Sequence, residues 1–149
     1  MRDVPEELEK IAALARQSLQ PGMPHTVDGQ ALGAGTCLHG ALLVVLLLRK
    51  FAPVWRATVR GGGPRDSNAA EGALDAQGRW QGHYWVEARA DDGAGYVVDI
   101  TSDQFQFAPV TVLSMPAAAG RYRPGDQGEV DQAFAELVEE FGCAQLLAT

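Results

Sequence analysis

The chain has 149 residues, with 19 acidic and 12 basic side chains and a formal net charge of -7. A length of this order predicts a single globular domain over residues 1–149, able to bury a core without a disulfide or a metal. The acidic balance, with no basic run longer than Arg49-Lys50, argues against binding of nucleic acid or of an anionic membrane surface.

The first segment of the chain is acidic and polar. A signal peptide has a basic and then an apolar order instead, so we expect a reducing, cytoplasmic compartment. Apolar residues from Leu8 to Leu19 recur at helical spacing after Pro5, which predicts an amphipathic helix ending before Pro21-Gly22. Residues 21–35 have no hydrophobic period and predict a loop.

The next segment, from residue 37 to about 51, predicts a helix that is buried in the core. Its apolar run from Ala41 to Leu48 is far shorter than the roughly 20 residues needed to cross a bilayer. Thr36 is an N-cap type of residue, so Cys37 would lie in the first turn. There the free backbone N–H groups and the helix dipole favour a thiolate, which makes Cys37 a candidate nucleophile.

A β-strand is predicted from Val54 to Arg60, where apolar and polar residues alternate. The run Gly61-Gly62-Gly63-Pro64 would end this strand. The polar stretch that follows, up to Gly78, is long enough to predict a flexible flap or insertion.

A β-hairpin is predicted over residues 83–100, with Asp91-Asp92-Gly93 as its turn signal. If the loop has three residues and its glycine is left-handed, His83 and Asp99 share one face of the hairpin. Asp99 would then lie opposite Trp85 and diagonal to His83, within side-chain reach. A loop with an even number of residues would place them on opposite faces.

The last third of the chain predicts a short strand over Val110 to Leu113, a surface loop from Pro116 to Gly128, and a closing helix that stops at Gly142. The whole order is helix, buried helix, strands and helix. It predicts an α+β fold in which an antiparallel sheet packs on the buried helix that carries Cys37 at its N-terminus.

Three residues have the settings that nucleophilic catalysis needs. Cys37 begins a helix, and His83 and Asp99 lie on neighbouring strands, so a thiol, a base and an acid that orients the base can meet. This arrangement predicts nucleophilic catalysis by a thiol and requires no cofactor and no metal.

Three motifs around these residues resemble those of the transglutaminase-like superfamily of papain-like cysteine enzymes. They are Gly35-Thr36-Cys37 with Ala41, the segment Gly82 to Glu87, and Val98-Asp99-Ile100-Thr101, together spanning roughly residues 33 to 105. The resemblance implies Cys37 as nucleophile, His83 as general acid and base, and Asp99 as orienting acid.

The resemblance also implies the class of activity. We expect a cysteine protease, amidase, deamidase or acyltransferase that acts on a peptide, a protein or a small amide. The alternative is a catalytically inactive binding module that keeps the same fold and groove.

Other residues compete for places in this site. Gln30 could add a side-chain donor to an oxyanion hole formed by the backbone N–H of Cys37, or could be a loop residue. Trp85 is either a core residue or a wall of the substrate groove. Asp103 competes with Asp99 as the acid, but it lies beyond the strand, where a turn or a cap is the simpler role.

The remaining cysteine and histidines are predicted to be structural or peripheral. Cys143 lies near the end of the last helix and is predicted to be a core residue. Cys37 and His39 would point to nearly opposite sides of their helix, which argues against a shared metal. His25 is predicted to be a surface loop residue.

Overall fold

A computed structural model describes residues 4–22, 36–63 and 70–147, and this part of the chain is an α+β structure. Its helices are α1 (Glu6–Leu19), α2 (Cys37–Phe51), α3 (Met115–Ala118), α4 (Gln127–Phe141) and α5 (Ala144–Leu147). Its strands are β1 (Arg56–Gly62), β2 (Gly72–Leu74), β3 (Trp80–Gln81), β4 (His83–Arg89), β5 (Gly95–Asp99), β6 (Thr111–Ser114) and β7 (Tyr122–Arg123). None of the helices in these ranges is long and apolar enough to cross a membrane.

The strands form two antiparallel sheets, as the predicted α+β class requires. The larger sheet has the order β1-β4-β5-β6 and the smaller has the order β3-β2-β7. Alternate residues of the larger sheet face two different cores. Val86 and Val98 pack with residues of α1 and α2, while Trp85 and Val97 pack toward the smaller sheet. The larger sheet therefore lies between the helices and the smaller sheet.

Helix α2 is buried because its apolar run supplies residues to more than one contact surface. Val44, Val45 and Leu48 join the core between the helices and the larger sheet. Gly40 lies against Ile100 and Thr101, and a Cβ at Gly40 would be only 3.0 Å from Ile100 Cγ1. This close approach holds the first turn of α2 against the end of β5.

Of the two registers considered for the hairpin, the structure has the one that goes with a three-residue loop. Val86 pairs with Val98 and Ala88 pairs with Tyr96, so the same register carried one residue further places Asp99 opposite Trp85. The Ala90 N–H donates to the Ala94 carbonyl at 2.9 Å, which closes a three-residue loop. Gly93 has a φ of 89° in that loop, as a left-handed glycine should.

The predicted bounds of the first strand are wrong at both ends. Strand β1 begins at Arg56 and continues through Gly61 and Gly62, which pair with Tyr84 and His83. A Cβ on Gly61 would be 2.5 Å from Tyr84 Cδ1. The glycines therefore do not end the strand. The missing side chain of Gly61 leaves room for the Tyr84 ring, and that of Gly62 leaves room for Gly125 and Glu71.

The predicted flap and the predicted surface loop are wrong where the smaller sheet forms. Strand β2 lies within the stretch expected to be a flap, and β7 and all but the first residue of α3 lie within Pro116 to Gly128. Asp75 Oδ1 accepts hydrogen bonds from the N–H groups of Gln77 and Arg79, which fixes the turn between β2 and β3. Strands of two or three residues are too short to show a hydrophobic period. Residues 64–69 of the predicted flap lie outside the described ranges.

Candidate active site

The fold brings the three predicted triad residues to one end of the larger sheet. His83 is the first residue of β4 and Asp99 is the last residue of β5. Because these strands are antiparallel neighbours, the two residues lie at the same end of the sheet. Cys37 is the first residue of α2, whose first turn packs against this end through Gly40.

Cys37 and His83 line one open pocket of about 380 Å³. Tyr84 and three carboxylates, from Glu71, Asp126 and Glu129, also line it. Among the described lining residues, His83 is the one basic side chain. The pocket is therefore an acidic cleft with a thiol and an imidazole in its wall.

His83 and Asp99 form a buried pair beneath this pocket. His83 Nε2 lies 2.8 Å from Asp99 Oδ2, and each residue is only 2% exposed. The imidazole is packed between rings: Trp85 stacks on it at a centroid distance of 6.1 Å, and Phe105 meets it edge-on at 4.7 Å. These contacts fix the plane of the imidazole, so one nitrogen stays on Asp99.

Asp99 is buried as an ionised group because donors surround its carboxylate. Oδ1 accepts from the Thr101 N–H at 3.0 Å, and Oδ2 accepts from the Tyr122 hydroxyl at 2.7 Å as well as from His83. Burial acts to raise the pKa of Asp99, but the charge of His83 and these hydrogen bonds hold it below its usual value. Burial and then the Asp99 carboxylate raise the pKa of Tyr122, so its phenol stays protonated and donates.

Cys37 is the second titratable partner of His83. Burial acts to lower the pKa of His83, but the Asp99 carboxylate and then a hydrogen bond and charge interaction with Cys37 raise it from 6.5 to about 9. Cys37 also acts on Tyr84, whose pKa is raised by burial and then by Cys37 and Glu129. The thiol thus lies within electrostatic range of both His83 and Tyr84.

The other nitrogen of His83 has a partner that the sequence did not indicate. Gln104 belongs to a 3-10 helix, Ser102–Phe105, that follows β5. Its Nε2 lies 3.1 Å from His83 Nδ1 and 3.1 Å from the Thr101 carbonyl oxygen. His83 therefore has a polar contact at each of its ring nitrogens.

Asp103 lies away from His83 and pairs with another residue. Arg16 of α1 donates to both of its carboxylate oxygens, at 2.9 and 2.7 Å, and also to the Ile100 carbonyl at 2.8 Å. Of the two competing acids, Asp99 is the one hydrogen-bonded to His83. The turn or cap role suggested for Asp103 misses its main contact, which is this ion pair with Arg16.

One further predicted residue lies outside the cleft. Trp85 is 2% exposed and packs with Val97 and Tyr122 between the two sheets, and the Cys37 pocket is not lined by it. Its groove-wall role is therefore unsupported for this pocket, whereas its core role agrees with its burial. Gln30, the suggested oxyanion donor, lies outside the described residues.

The second cysteine and the helical histidine face a different part of the molecule. Both cysteines are free thiols, and Cys143 is buried beside Leu42 and Val138. His39 lines a separate apolar groove with Phe141 and Cys143 rather than the Cys37 pocket. This agrees with the expected divergence of Cys37 and His39 on α2. His25 lies outside the described residues.

Sequence reasoning missed Tyr122, Gln104 and Arg16. Tyr122 falls in a strand too short to recognise, and Gln104 follows Asp99 without a motif that marks it. Arg16 did carry a signal, because it continues the Leu8 and Ala12 stripe at four-residue spacing on an otherwise apolar face. A charged residue at such a position requires a buried partner.

Comparisons of the chain with protein-family models, curated proteins and solved structures return no match. The resemblance to the transglutaminase-like superfamily therefore stays a prediction that rests on the three motifs.

Replacing Tyr122 with phenylalanine is expected to lower the free energy of unfolding by about 2 kcal/mol, because Asp99 loses a donor while remaining buried and charged. Urea unfolding at neutral pH measures this change. Tyr96→Phe is the matched control, since Tyr96 makes a ring contact with Trp55 and its hydroxyl has no hydrogen bond within the described residues. Equal losses in the two variants would contradict the role given to the Tyr122 hydroxyl.

Proposed function

We propose that this chain is a thiol-dependent acyl-transfer enzyme of the transglutaminase-like superfamily that acts at an amide bond. Cys37 is its nucleophile, His83 its general acid and base, and Asp99 the acid that orients His83. The observation that carries this proposal is the buried His83–Asp99 hydrogen bond at the wall of the pocket that also holds Cys37. The position of Cys37 at the start of α2, against the end of the hairpin, is the arrangement that the resemblance implies.

The first half of the reaction forms a thioester. His83 takes the proton of the Cys37 thiol while Sγ attacks the amide carbonyl and places a negative charge on its oxygen. The backbone N–H of Cys37 is available as an oxyanion donor, since the first N–H groups of a helix have no intrahelical acceptor. Collapse breaks the C–N bond, and His83 returns the proton to the departing amine.

The second half of the reaction removes the acyl group. Water or an amine attacks the thioester carbonyl, and His83 accepts the proton of the attacking group. Collapse breaks the C–S bond, and the proton returns to the Cys37 sulfur. Hydrolysis follows when water attacks, and transfer follows when an amine attacks.

The substrate is a peptide, a protein or a small amide. The carboxylates of Glu71 and Asp126 in the pocket wall favour a neutral or cationic group beside the reacting carbonyl over an anionic one. This electrostatic preference narrows the choice of test compounds to uncharged and positively charged acyl donors.

Limited alkylation tests the proposal without a known substrate. With a limiting amount of iodoacetamide at about pH 6, we expect label on Cys37, and roughly a 100-fold or greater loss of that labelling rate in His83→Ala. Mass spectrometry of digested protein locates the label. Cys143 is the more buried thiol, so faster labelling of Cys37 than of Cys143 would follow from exposure alone. The decisive comparison is therefore the labelling rate of Cys37 in the unmodified protein and in His83→Ala.

His39→Ala is the matched control, because His39 is also a histidine near Cys37 but lines a different groove. It should leave the labelling rate of Cys37 unchanged. If Cys37 reacts equally slowly in the unmodified protein and in His83→Ala, the proposed enzyme is wrong and an inactive binding module takes its place.

A further inference from the structure

Gln104, which is not a member of the triad, contacts His83. Its side-chain nitrogen lies 3.1 Å from the Thr101 carbonyl oxygen, 3.4 Å from Thr101 Oγ1 and 3.1 Å from His83 Nδ1. The 3-10 helix that carries Gln104 is held in turn by the ion pair between Arg16 and Asp103, the preceding residue. The amide is thus anchored at both its backbone and its side chain.

The chemistry of these partners fixes the direction of the hydrogen bond. A carbonyl oxygen can only accept, so the Gln104 atom beside Thr101 O must be the amide nitrogen. The same nitrogen then donates its second hydrogen to His83 Nδ1, which must carry a lone pair. In the neutral ring the imidazole proton therefore lies on Nε2, where it is donated to Asp99 Oδ2.

A Cys37 thiolate requires the same nitrogen, Nδ1, to carry a proton. His83 Nε2 is occupied by Asp99, so Nδ1 is the nitrogen left to interact with Cys37. An imidazolium paired with a thiolate needs a proton on Nδ1, and that proton would oppose the Gln104 N–H. Among the residues that the structure describes, the titratable groups that act on His83 are Asp99 and Cys37, with Tyr122 hydrogen-bonded to Asp99.

We propose that Gln104 is a positioning residue that opposes the charged form of His83 and favours the neutral imidazole with its proton on Nε2, so that Gln104 and the Cys37 thiolate compete for Nδ1. This inference rests on the proposed function, because it assigns a role within the same site. When Gln104 donates to Nδ1, the site holds a thiol and a neutral imidazole. When Nδ1 takes the proton of Cys37, the Gln104 amide must turn away from it.

The competition predicts how His83 titrates when Gln104 is changed. Gln104→Met has a similar length and no donor, so the charged ring is no longer opposed. The titration midpoint of His83 should rise by about 0.5 to 1 pH unit, the equivalent of one hydrogen bond. Gln104→Glu should raise the midpoint further, since a carboxylate beside Nδ1 stabilises the charged ring.

The measurement is ¹⁵N NMR of protein labelled at histidine, with His83→Asn to assign the His83 signals. Below its midpoint the shifts report the charged ring, and above it they report which nitrogen keeps the proton. The series is repeated in Cys37→Ser, where no thiol titrates. Gln81→Met is the matched control, because it removes a half-buried amide that donates to Asp75 rather than to His83.

If the role of Gln104 is merely structural, replacing it should shift the titration midpoint of His83 in the opposite direction. Loosening of the site would move the His83 midpoint toward its ordinary value of 6.5, which is downward. A downward shift, no shift, or a neutral ring with its proton on Nδ1 in the unmodified protein would overturn the proposal. None of these readouts needs turnover, so a Cys37 that fails to acylate would refute the proposed function and leave the Gln104 result standing.

Discussion

Asp99→Asn should slow the acylation of Cys37 by a small activated ester roughly 100- to 10,000-fold, the range that a positioned acid–base group contributes. The expected loss follows because hydrogen-bond donors contact both oxygens of the Asp99 carboxylate. His83 and Tyr122 donate to Oδ2, and the Thr101 N–H donates to Oδ1. An amide has only one acceptor oxygen, so it cannot receive hydrogen bonds on both sides.

Either orientation of the new amide disturbs the site. If its nitrogen faces His83, the imidazole proton must move to Nδ1, where it meets the Gln104 amide and can no longer take the proton of Cys37. If its nitrogen faces the Thr101 N–H, two donors oppose each other in a buried place. The midpoint of His83 should also fall, because the Asp99 charge that raises the pKa of His83 is lost.

Stopped-flow release of the ester's leaving group measures the acylation rate, and the mass of the intact protein confirms a single acyl group. Asp75→Asn is the matched control, since Asp75 is also buried and accepts from Gln81, yet it does not contact His83. Asp103→Asn tests the competing acid. An acylation rate that falls as far in Asp103→Asn as in Asp99→Asn would contradict the assignment of Asp99.

Arg16→Met should lower the free energy of unfolding by about 3 kcal/mol, because it leaves Asp103 charged and largely buried without its partner. The Arg16 and Asp103 side chains are only 6% and 16% exposed. The Ile100 carbonyl, next to Asp99, also loses the hydrogen bond that Arg16 donates to it. The change therefore removes the ion pair between α1 and the 3-10 helix that carries Gln104.

Urea unfolding at neutral pH measures this loss. Lys10→Met is a control for removal of a positive charge from the same helix, since its pair with Glu6 is exposed and should contribute less than about 1 kcal/mol. The double variant Arg16→Met with Asp103→Leu should recover most of the stability, because no buried charge is left unpaired. If Arg16→Met is no more harmful than Lys10→Met, the buried pair does not stabilise the fold.

The parts of this protein that sequence reasoning located are those with a strong local pattern. The apolar run after Cys37 has enough residues to predict a buried helix, and the Asp91-Asp92-Gly93 turn was enough to predict the hairpin. The register that brings His83 and Asp99 together followed only on the condition of a three-residue loop. The α+β class followed from the order of these elements.

The missing parts depend on contacts between distant segments. Tyr122 reaches Asp99 from a two-residue strand, and Arg16 reaches Asp103 from 87 positions away. Neither pairing leaves a period or a turn signal in the chain. Gln104 is close in sequence to Asp99, but the direction of its side chain depends on the 3-10 helix, whose geometry the sequence does not specify.

The sequence separations within the site imply an order of assembly during synthesis. His83 and Asp99 are 16 residues apart and join within one hairpin, so local chain folding can bring them together early. Tyr122 lies 23 residues beyond Asp99 and can donate only after a ribosome has released that later strand. A nascent chain ending before Tyr122 would contain Cys37, His83 and Asp99, but the Asp99 carboxylate would lack the hydrogen bond from Tyr122. Full reactivity of Cys37 should therefore develop only late in translation.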